Sequence, residues 1–419
     1  MISKKAIVIT LGCRLNCADS ALLSSRLEEC GYQLEDENAS SFDLALVNSC
    51  AVTAEAVRKS RQTIRKLRKN HPTAVIVAAG CAVEADRAAL ESDGADIVLT
   101  NPDKKALQQA LAGLEISGKR SLECRDNFSE SVCSTFPYRS RAFVKIQEGC
   151  SNFCTYCIVP YVRGPERSRN FQEVLEDCKQ LVDQGFPELV LTGVNTCAYC
   201  DNGKYLGDLV HAVSAIPGNF RIRLSSTEPH PNNRSLIDVM AETPKVCRFL
   251  HLSLQHGCNR ILKEMHRHYT REEFAAFVEA ARTRIPGIHL GSDVIAGFPG
   301  ESEEDFSDGL DFVKKIGFSN LHVFTFSPRP GTPAAVMPNQ IPAQIASARS
   351  AALRKAGEES KEFFTRSQLG KELEVIFETA RNGVIHGWSD NYLAVSAPEG
   401  SYPLGEIVRI TAAEENLGL

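Results

Sequence analysis

Cys150, Cys154 and Cys157 stand in the run Glu148-Gly149-Cys150-Ser151-Asn152-Phe153-Cys154-Thr155-Tyr156-Cys157. Thiolates at this Cys-x3-Cys-x2-Cys spacing fit three corners of a cubane iron-sulfur cluster and leave one iron without a protein ligand. An iron in that state is a place for chemistry. A zinc site would close its tetrahedron with a fourth Cys or His, usually from a second closely spaced pair, and no such pair follows nearby. A disulfide framework suits short secreted chains. With 419 residues, 15 cysteines in no regular pairing, and no charged and apolar leader after Met1-Ile2-Ser3-Lys4-Lys5, free thiols in a reducing cytoplasm are expected.

Two or three domains are expected on length alone, and a hydrophobic content of 43% suffices to fill their cores. No apolar run approaches the roughly 20 residues that span a bilayer, so no membrane partner is expected. The net charge of −5 gives nucleic acid no general attraction. Any RNA contact must come from local patches, and the run from Arg58 to Lys69, with Lys59, Arg61 and Arg65 among its cations, is one.

The elements that must position these groups fall into three series. Residues 1–115 alternate short apolar strands (Ala6-Ile7-Val8-Ile9-Thr10, Leu44-Ala45-Leu46-Val47, Ala74-Val75-Ile76-Val77-Ala78, Ile97-Val98-Leu99) with helical patterns at Ser20–Glu29, Ala54–Lys69, Glu84–Leu90 and Lys104–Leu111. That alternation predicts an α/β unit with a parallel, doubly wound sheet. Cys13, Cys50 and Cys81 each follow one of the first three strands, and ligands in such sheets gather at the carboxyl ends of strands. Three thiols far apart in sequence would meet there and could hold a second cluster. Cys17 is an alternative ligand to Cys13, but Gly12 allows Cys13 the tight turn a ligand loop needs.

Residues 116–138, with Gly118, Ser121, Ser129, Ser131 and Ser134, read as a linker. From 139 to 365 a second series begins with Ala142-Phe143-Val144-Lys145-Ile146, which delivers the cysteine loop, and continues through strands ending near Thr192, Leu224, Leu254, Ile295 and Phe326. Six strand-helix units predict a partial parallel (β/α)6 barrel with its site at the strand carboxyl ends. Thr192, Gly193, Ser225, Glu228, Gln255 and Asp293 lie at or near those ends, and Gly297-Phe298-Pro299-Gly300 reads as a shaped loop over the pocket. Ala343 to Gln368 reads as a helical connector. Short strands with turns between them from 366 to 419 predict a small C-terminal antiparallel β-barrel.

The cysteine motif, with Tyr156 just before its last cysteine, resembles the radical S-adenosylmethionine (radical SAM) superfamily. The three-part layout resembles the methylthiotransferases over nearly the whole chain. Thr10-Leu11-Gly12-Cys13-Arg14-Leu15-Asn16, Val47-Asn48-Ser49-Cys50-Ala51-Val52-Thr53, Leu191-Thr192-Gly193-Val194-Asn195 and Phe326-Ser327-Pro328-Arg329-Pro330-Gly331-Thr332-Pro333 are similar to the MtaB-like tRNA branch, and Ser389-Asp390-Asn391-Tyr392 to a TRAM domain. The resemblance implies two 4Fe-4S clusters, on Cys150/Cys154/Cys157 and Cys13/Cys50/Cys81, and S-adenosyl-L-methionine held at the first. Tyr156, Thr192, Gly193, Ser225, Glu228, Gln255 and Asp293 would contact that cofactor. It implies radical abstraction of hydrogen from C2 of N6-threonylcarbamoyladenosine at position 37 of tRNA, followed by attack on a methylated sulfur of the second cluster. Arg58, Lys59, Arg61, Arg65, Arg163, Arg167 and Arg169 would hold phosphates of the anticodon stem-loop, and Tyr392 or Trp388 would stack on a base. An electron donor such as flavodoxin or ferredoxin and a sulfur source complete the expected partners. Cys17, His256, Cys197 and Cys200 depart from the branch pattern, and no role is expected of the last two. The isopentenyladenosine branch, the ribosomal-protein-aspartate branch and a noncatalytic iron-sulfur RNA-binding protein are the alternatives.

Overall fold

The computed structural model describes residues 4–117, 140–229 and 234–419. Of the expected linker, residues 118–138 lie outside the described residues. The strands Lys4–Thr10, Tyr32–Leu34, Leu44–Ser49, Val75–Gly80 and Ile97–Leu99 form one parallel sheet in the spatial order 2-1-3-4-5. Leu44–Ser49 is buried at every position because helices cover both faces, as the unbroken apolar run requires. In this sequence the strand order reverses between the first strand and Leu44–Ser49, the point at which such sheets gather ligands at their carboxyl ends. Cys13 and Cys50 are the residues that follow those two strands.

Two helices differ from the expected ones. Arg14–Glu29 begins directly after Cys13, well before the expected Ser20. Its first turns bury Asn16, Asp19 and Ser20, polar residues that the apolar periodicity of a helix does not register. The helix expected over Glu84–Leu90 is two, Cys81–Ala85 and Arg87–Ser92, broken at Asp86, whose carboxylate accepts from the Ala89 N–H to cap the second.

Arg141–Lys145, Glu188–Thr192 and Arg221–Leu224 pair in parallel, as do Ser226–Thr227, Phe249–Leu252, His289–Ala296 and Asn320–Thr325. The third strand breaks at Ser225, and its halves belong to the two sheets. Six parallel strands in the expected order therefore surround one apolar core containing Leu189, Leu191, Ile222, Leu250 and Leu290. The helix Ala343–Arg366 packs along Asn320–Thr325.

The C-terminal segment is a four-stranded antiparallel sheet, ordered Ala394–Pro398, Val384–Ser389, Glu372–Arg381, Ile407–Thr411. Among the described residues the sheet's strands pair in that order alone, with one further bridge between Phe377 and Leu404. Buried charges fasten it beneath the six-stranded unit: Glu188 pairs with both Arg221 and Arg223 at 2.6 and 2.8 Å, and these arginines donate to the carbonyls of Glu374, Trp388, Ser389 and Asp390. Charges this deep are tolerable only when paired and hydrogen-bonded. Among the described residues no helix is long and apolar enough to cross a membrane.

Candidate active site

The loop carrying Cys150, Cys154 and Cys157 leaves the carboxyl end of Arg141–Lys145 through Gln147–Glu148, which pairs with Arg167–Ser168. Gly149 turns it with φ +73°, and a Cβ there would lie 1.9 Å from the Pro165 carbonyl oxygen. No side chain fits. We expect Gly149→Ala to lose iron binding at this loop and to melt well below Gly203→Ala. Gly203 shares the positive φ but a Cβ there meets nothing, so the difference in Tm and iron content isolates the clash from roughly 1–3 kcal/mol of backbone strain common to both.

Burial, with the neighbouring thiols adding, pushes the Cys150 thiol up to about 11 and Cys157 up to about 12. Metal ligation requires these thiols as thiolates, so a cluster bound here would displace their protons against that burial. Arg267 Nη1 donates to Cys154 Sγ at 3.2 Å and Nη2 to Glu228 at 2.7 Å. Glu228 also accepts from Asn152 at 2.8 Å and Asn195 at 2.6 Å. Arg267, Asn152 and Asn195 went unnoticed in the sequence. Arg267 belongs to Met265-His266-Arg267-His268-Tyr269, a segment between helices with no periodicity, and only its cation flanked by aromatic rings hints at burial.

A cavity of about 290 Å³ opens on this loop, walled by Cys150, Cys154, Cys157, Tyr156, Asn195, Glu228, Gln255 and Asp293. A second cavity of about 690 Å³ runs down the strands to Trp388 and Tyr392, walled by Cys13, Arg14, Thr192, Gly193, Ser225, His251, Asn320, His322 and Lys361. Ser226, Asp293 and Phe324 line both. Of the seven residues expected to meet the cofactor, Tyr156, Glu228, Gln255 and Asp293 thus border the first cavity, and Thr192, Gly193, Ser225 and again Asp293 the second. Gly193 has a plainer reason to lack a side chain: a Cβ would stand 2.8 Å from Gln147 Oε1, and Gln147 braces the cysteine loop through the carbonyls of Glu148 and Gly149. Thr192 Oγ1 and Ser225 Oγ are buried without a hydrogen-bond partner. Burial works to raise the Asp293 carboxyl, but the hydrogen bond from His251 at 3.0 Å and nearby His322 outweigh it, so Asp293 stays ionised.

Cys13, Cys50 and Cys81 converge at the carboxyl edge of the N-terminal sheet. Gly12, at φ +105°, lets the Cys13 turn rest against Cys50, whose Cβ would be 2.7 Å from any Cβ added there. The Cys50 thiol is pushed up to about 11 by burial, with Cys13 and Cys81 adding to the effect. Cys81 opens the helix Cys81–Ala85, and its Sγ accepts from Arg163 Nε at 3.2 Å and faces Asn101 Nδ2 at 3.6 Å. Cys17 lies one turn inside the helix Arg14–Glu29, its N–H bonded to the Cys13 carbonyl, and it lines neither cavity. Among the described residues no three Cys, His, Asp or Glu side chains converge as tightly as a single ion requires. A cubane does not ask for that, because each thiolate holds a different iron.

Residues 144–313 match the radical SAM superfamily model, and residues 5–100 match the uncharacterized protein family UPF0004. The threonylcarbamoyladenosine tRNA methylthiotransferase MtaB of Chlamydia pneumoniae is 36% identical over 93% of this chain and 91% of its own length. The chain belongs to the radical SAM methylthiotransferase family. A second relative of the same name, from Bacillus subtilis, is 34% identical over 96% of this chain and 92% of its own. The tRNA-2-methylthio-N(6)-dimethylallyladenosine synthase of Carboxydothermus hydrogenoformans is 37% identical over 83% and 82%. Among solved structures, the radical S-adenosylmethionine methyltransferase TsrM of Kitasatospora setae shares the fold, with a TM-score of 0.61 at 18% identity over 80% of this chain and 75% of that one.

Several residues expected to grip RNA do other work in this methylthiotransferase. Arg163 is 5% exposed and committed to Glu148, Asp19, Asn16 and Cys81, so it cannot hold a phosphate. Arg169 is buried against Asp177 at 2.8 Å. Arg61 and Arg65 share Asp93 at 2.6 and 2.8 Å, and Arg58 pairs with Glu55, so carboxylates answer much of the charge that the run displays in sequence. Lys59 is exposed and Arg167 half-buried. Tyr392 and Trp388 stack with centroids 4.7 Å apart and face the larger cavity, not the outer surface of the tail. Neither belongs to the tail's apolar core of Leu373, Val375, Phe377 and Ile385. Cys197 is buried, its Sγ accepting from the Glu228 N–H at 3.4 Å, and Cys200 is exposed on a hairpin.

Proposed function

We propose that this protein adds a methylthio group to C2 of N6-threonylcarbamoyladenosine at position 37 of tRNA. Cys150, Cys154 and Cys157 hold one 4Fe-4S cluster and Cys13, Cys50 and Cys81 the other. When bound, these clusters and S-adenosylmethionine supply radical removal of hydrogen from C2 and the sulfur that replaces it. Tyr156, Glu228, Gln255 and Asp293 shape the cofactor's side of the site. Thr192, Gly193 and Ser225 shape the base's side. Residues 1–115, 139–365 and 366–419 act as three units closing on one chamber, and Lys59, Arg58 and Arg167 are the remaining candidates for phosphate contact. The anticodon stem-loop, a flavodoxin or ferredoxin as reductant and a sulfur source are its partners, in the cytoplasm.

Identity does not choose between the two tRNA branches, since relatives of both names lie at 34–37%. The lining of the larger cavity carries the choice. Thr192 Oγ1 and Ser225 Oγ are buried and unpartnered, His251, Asn320 and His322 add polar edges, and among the described residues no carboxylate pairs with Lys361. A dimethylallyl group offers nothing to the Lys361 ammonium or to the polar edges of His251, Asn320 and His322. A threonylcarbamoyl substituent brings carbonyl, amide, hydroxyl and carboxylate to meet them.

The test is mass spectrometry of nucleosides after reaction of the reconstituted protein with anticodon stem-loops carrying one substituent or the other. Methylthio transfer to the threonylcarbamoyl substrate alone is expected, and transfer to the dimethylallyl substrate alone would overturn the reading. Lys361→Ala is expected to raise the KM for the carboxylate-bearing RNA about tenfold, the worth of one charge-assisted hydrogen bond.

A further inference from the structure

One side chain links the N-terminal cysteine site to the segment that leads into the Cys150–Cys157 loop. Arg163 ends the short helix Val159–Arg163 that follows the Cys150–Cys157 loop, yet its guanidinium crosses to the N-terminal sheet. Nε stands 3.2 Å from Cys81 Sγ, Nη1 2.7 Å from Glu148, and Nη2 2.7 Å from Asn16 Oδ1 and 3.2 Å from Asp19. Glu148 immediately precedes Gly149-Cys150, while Asn16 holds the Cys13 turn by donating to the carbonyls of Leu11 and Ser49. A planar guanidinium with donors in a fixed fork can serve all four partners at once, which a lysine cannot.

Further buried cations share its carboxylates. Asp19 also receives Lys104 at 2.6 Å and Lys145 at 2.7 Å, and Lys145 reaches Glu148 as well at 3.4 Å. Every member has a side chain at most 8% exposed. A guanidinium at such depth needs an acceptor at each donor, and the sulfur that Nε faces at 3.2 Å is where thiolate-bound metal would place negative charge.

We infer that Arg163 is a positioning residue that raises the reduction potential of the cluster on Cys13, Cys50 and Cys81 while holding that site in register with the Cys150–Cys157 loop. A one-electron reduction adds negative charge to the cluster. A buried cation donating to a ligand sulfur stabilises the reduced form more than the oxidised one, and hydrogen bonds to cluster sulfurs are a known lever on potential. Arg267, which donates to Cys154, holds the corresponding place at the other site. The inference rests on the cluster assignment of the proposed function and not on which base is modified.

The test uses the full chain with Cys150, Cys154 and Cys157 all replaced by Ala, so that only the N-terminal cluster remains, titrated with dithionite and followed by electron paramagnetic resonance. Adding Arg163→Gln is expected to lower the midpoint by the equivalent of roughly tenfold in the reduction equilibrium, about 59 mV for one electron. Arg163→Lys keeps the charge but not the fork, and should shift it less in the same direction. In the reciprocal protein lacking Cys13, Cys50 and Cys81, Arg267→Gln should move the remaining cluster more than Arg163→Gln does. A midpoint unmoved by either Arg163 substitution, or an equal response of both clusters to Arg163→Gln, overturns the inference. Absence of iron from the starting triple-alanine protein overturns the cluster assignment itself, which is a different failure.

Discussion

A Cys154→Ala protein should form no 5'-deoxyadenosine and no methylthio nucleoside, a loss of about 10⁴-fold or more in turnover, while keeping close to half its iron and sulfide. Cys154 is the buried member of its triad, faces Arg267 and supplies one of three corners, so its loss leaves two thiols that cannot retain a site-differentiated cubane. A 10⁴-fold loss corresponds to about 5.5 kcal/mol of barrier, far beyond what a packing change at one small residue produces. Quantifying 5'-deoxyadenosine beside iron and sulfide checks both parts. Retained cofactor cleavage would show that the three-cysteine loop is not the seat of the radical chemistry.

The second large effect separates Cys13 from Cys17. Cys13→Ala should remove the N-terminal cluster and abolish methylthio transfer, yet leave cleavage of S-adenosylmethionine intact. Cys17→Ala should retain both clusters and nearly full transfer. Cys13 is exposed at the helix start and borders the larger cavity, whereas Cys17 has turned into the helix one turn later. Iron and sulfide counts on the two proteins, with nucleoside analysis, decide the matter. An iron loss on Cys17→Ala matching that on Cys13→Ala would move the ligand one turn along.

Much of the architecture was legible because it obeys periodicity. Leu44–Ser49 and Val75–Gly80 are apolar without a break, as strands covered on both faces must be, and the cysteines that follow them could be placed on one edge from topology alone. The Cys150–Cys157 loop was legible from spacing. What escaped was set by contacts between segments distant in sequence. Arg163 read as a phosphate ligand because a lone arginine near a site carries no sign of its partners, and Asp19, 144 residues away, is invisible from it. The run at Arg58–Lys69 read as bare positive charge because Asp93 and Asp96 reach it only once the sheet forms.

The fastening of the C-terminal sheet has an effect beyond anchoring. Because Glu188, Arg221 and Arg223 clamp the turn that carries Trp388 and Tyr392, this appendage forms the floor of the reaction vessel as well as any handle for tRNA. Trimming it would do more than loosen the grip on the anticodon arm. It would open the larger cavity at the end walled by Trp388 and Tyr392, giving bulk solvent a second way to the strand ends above.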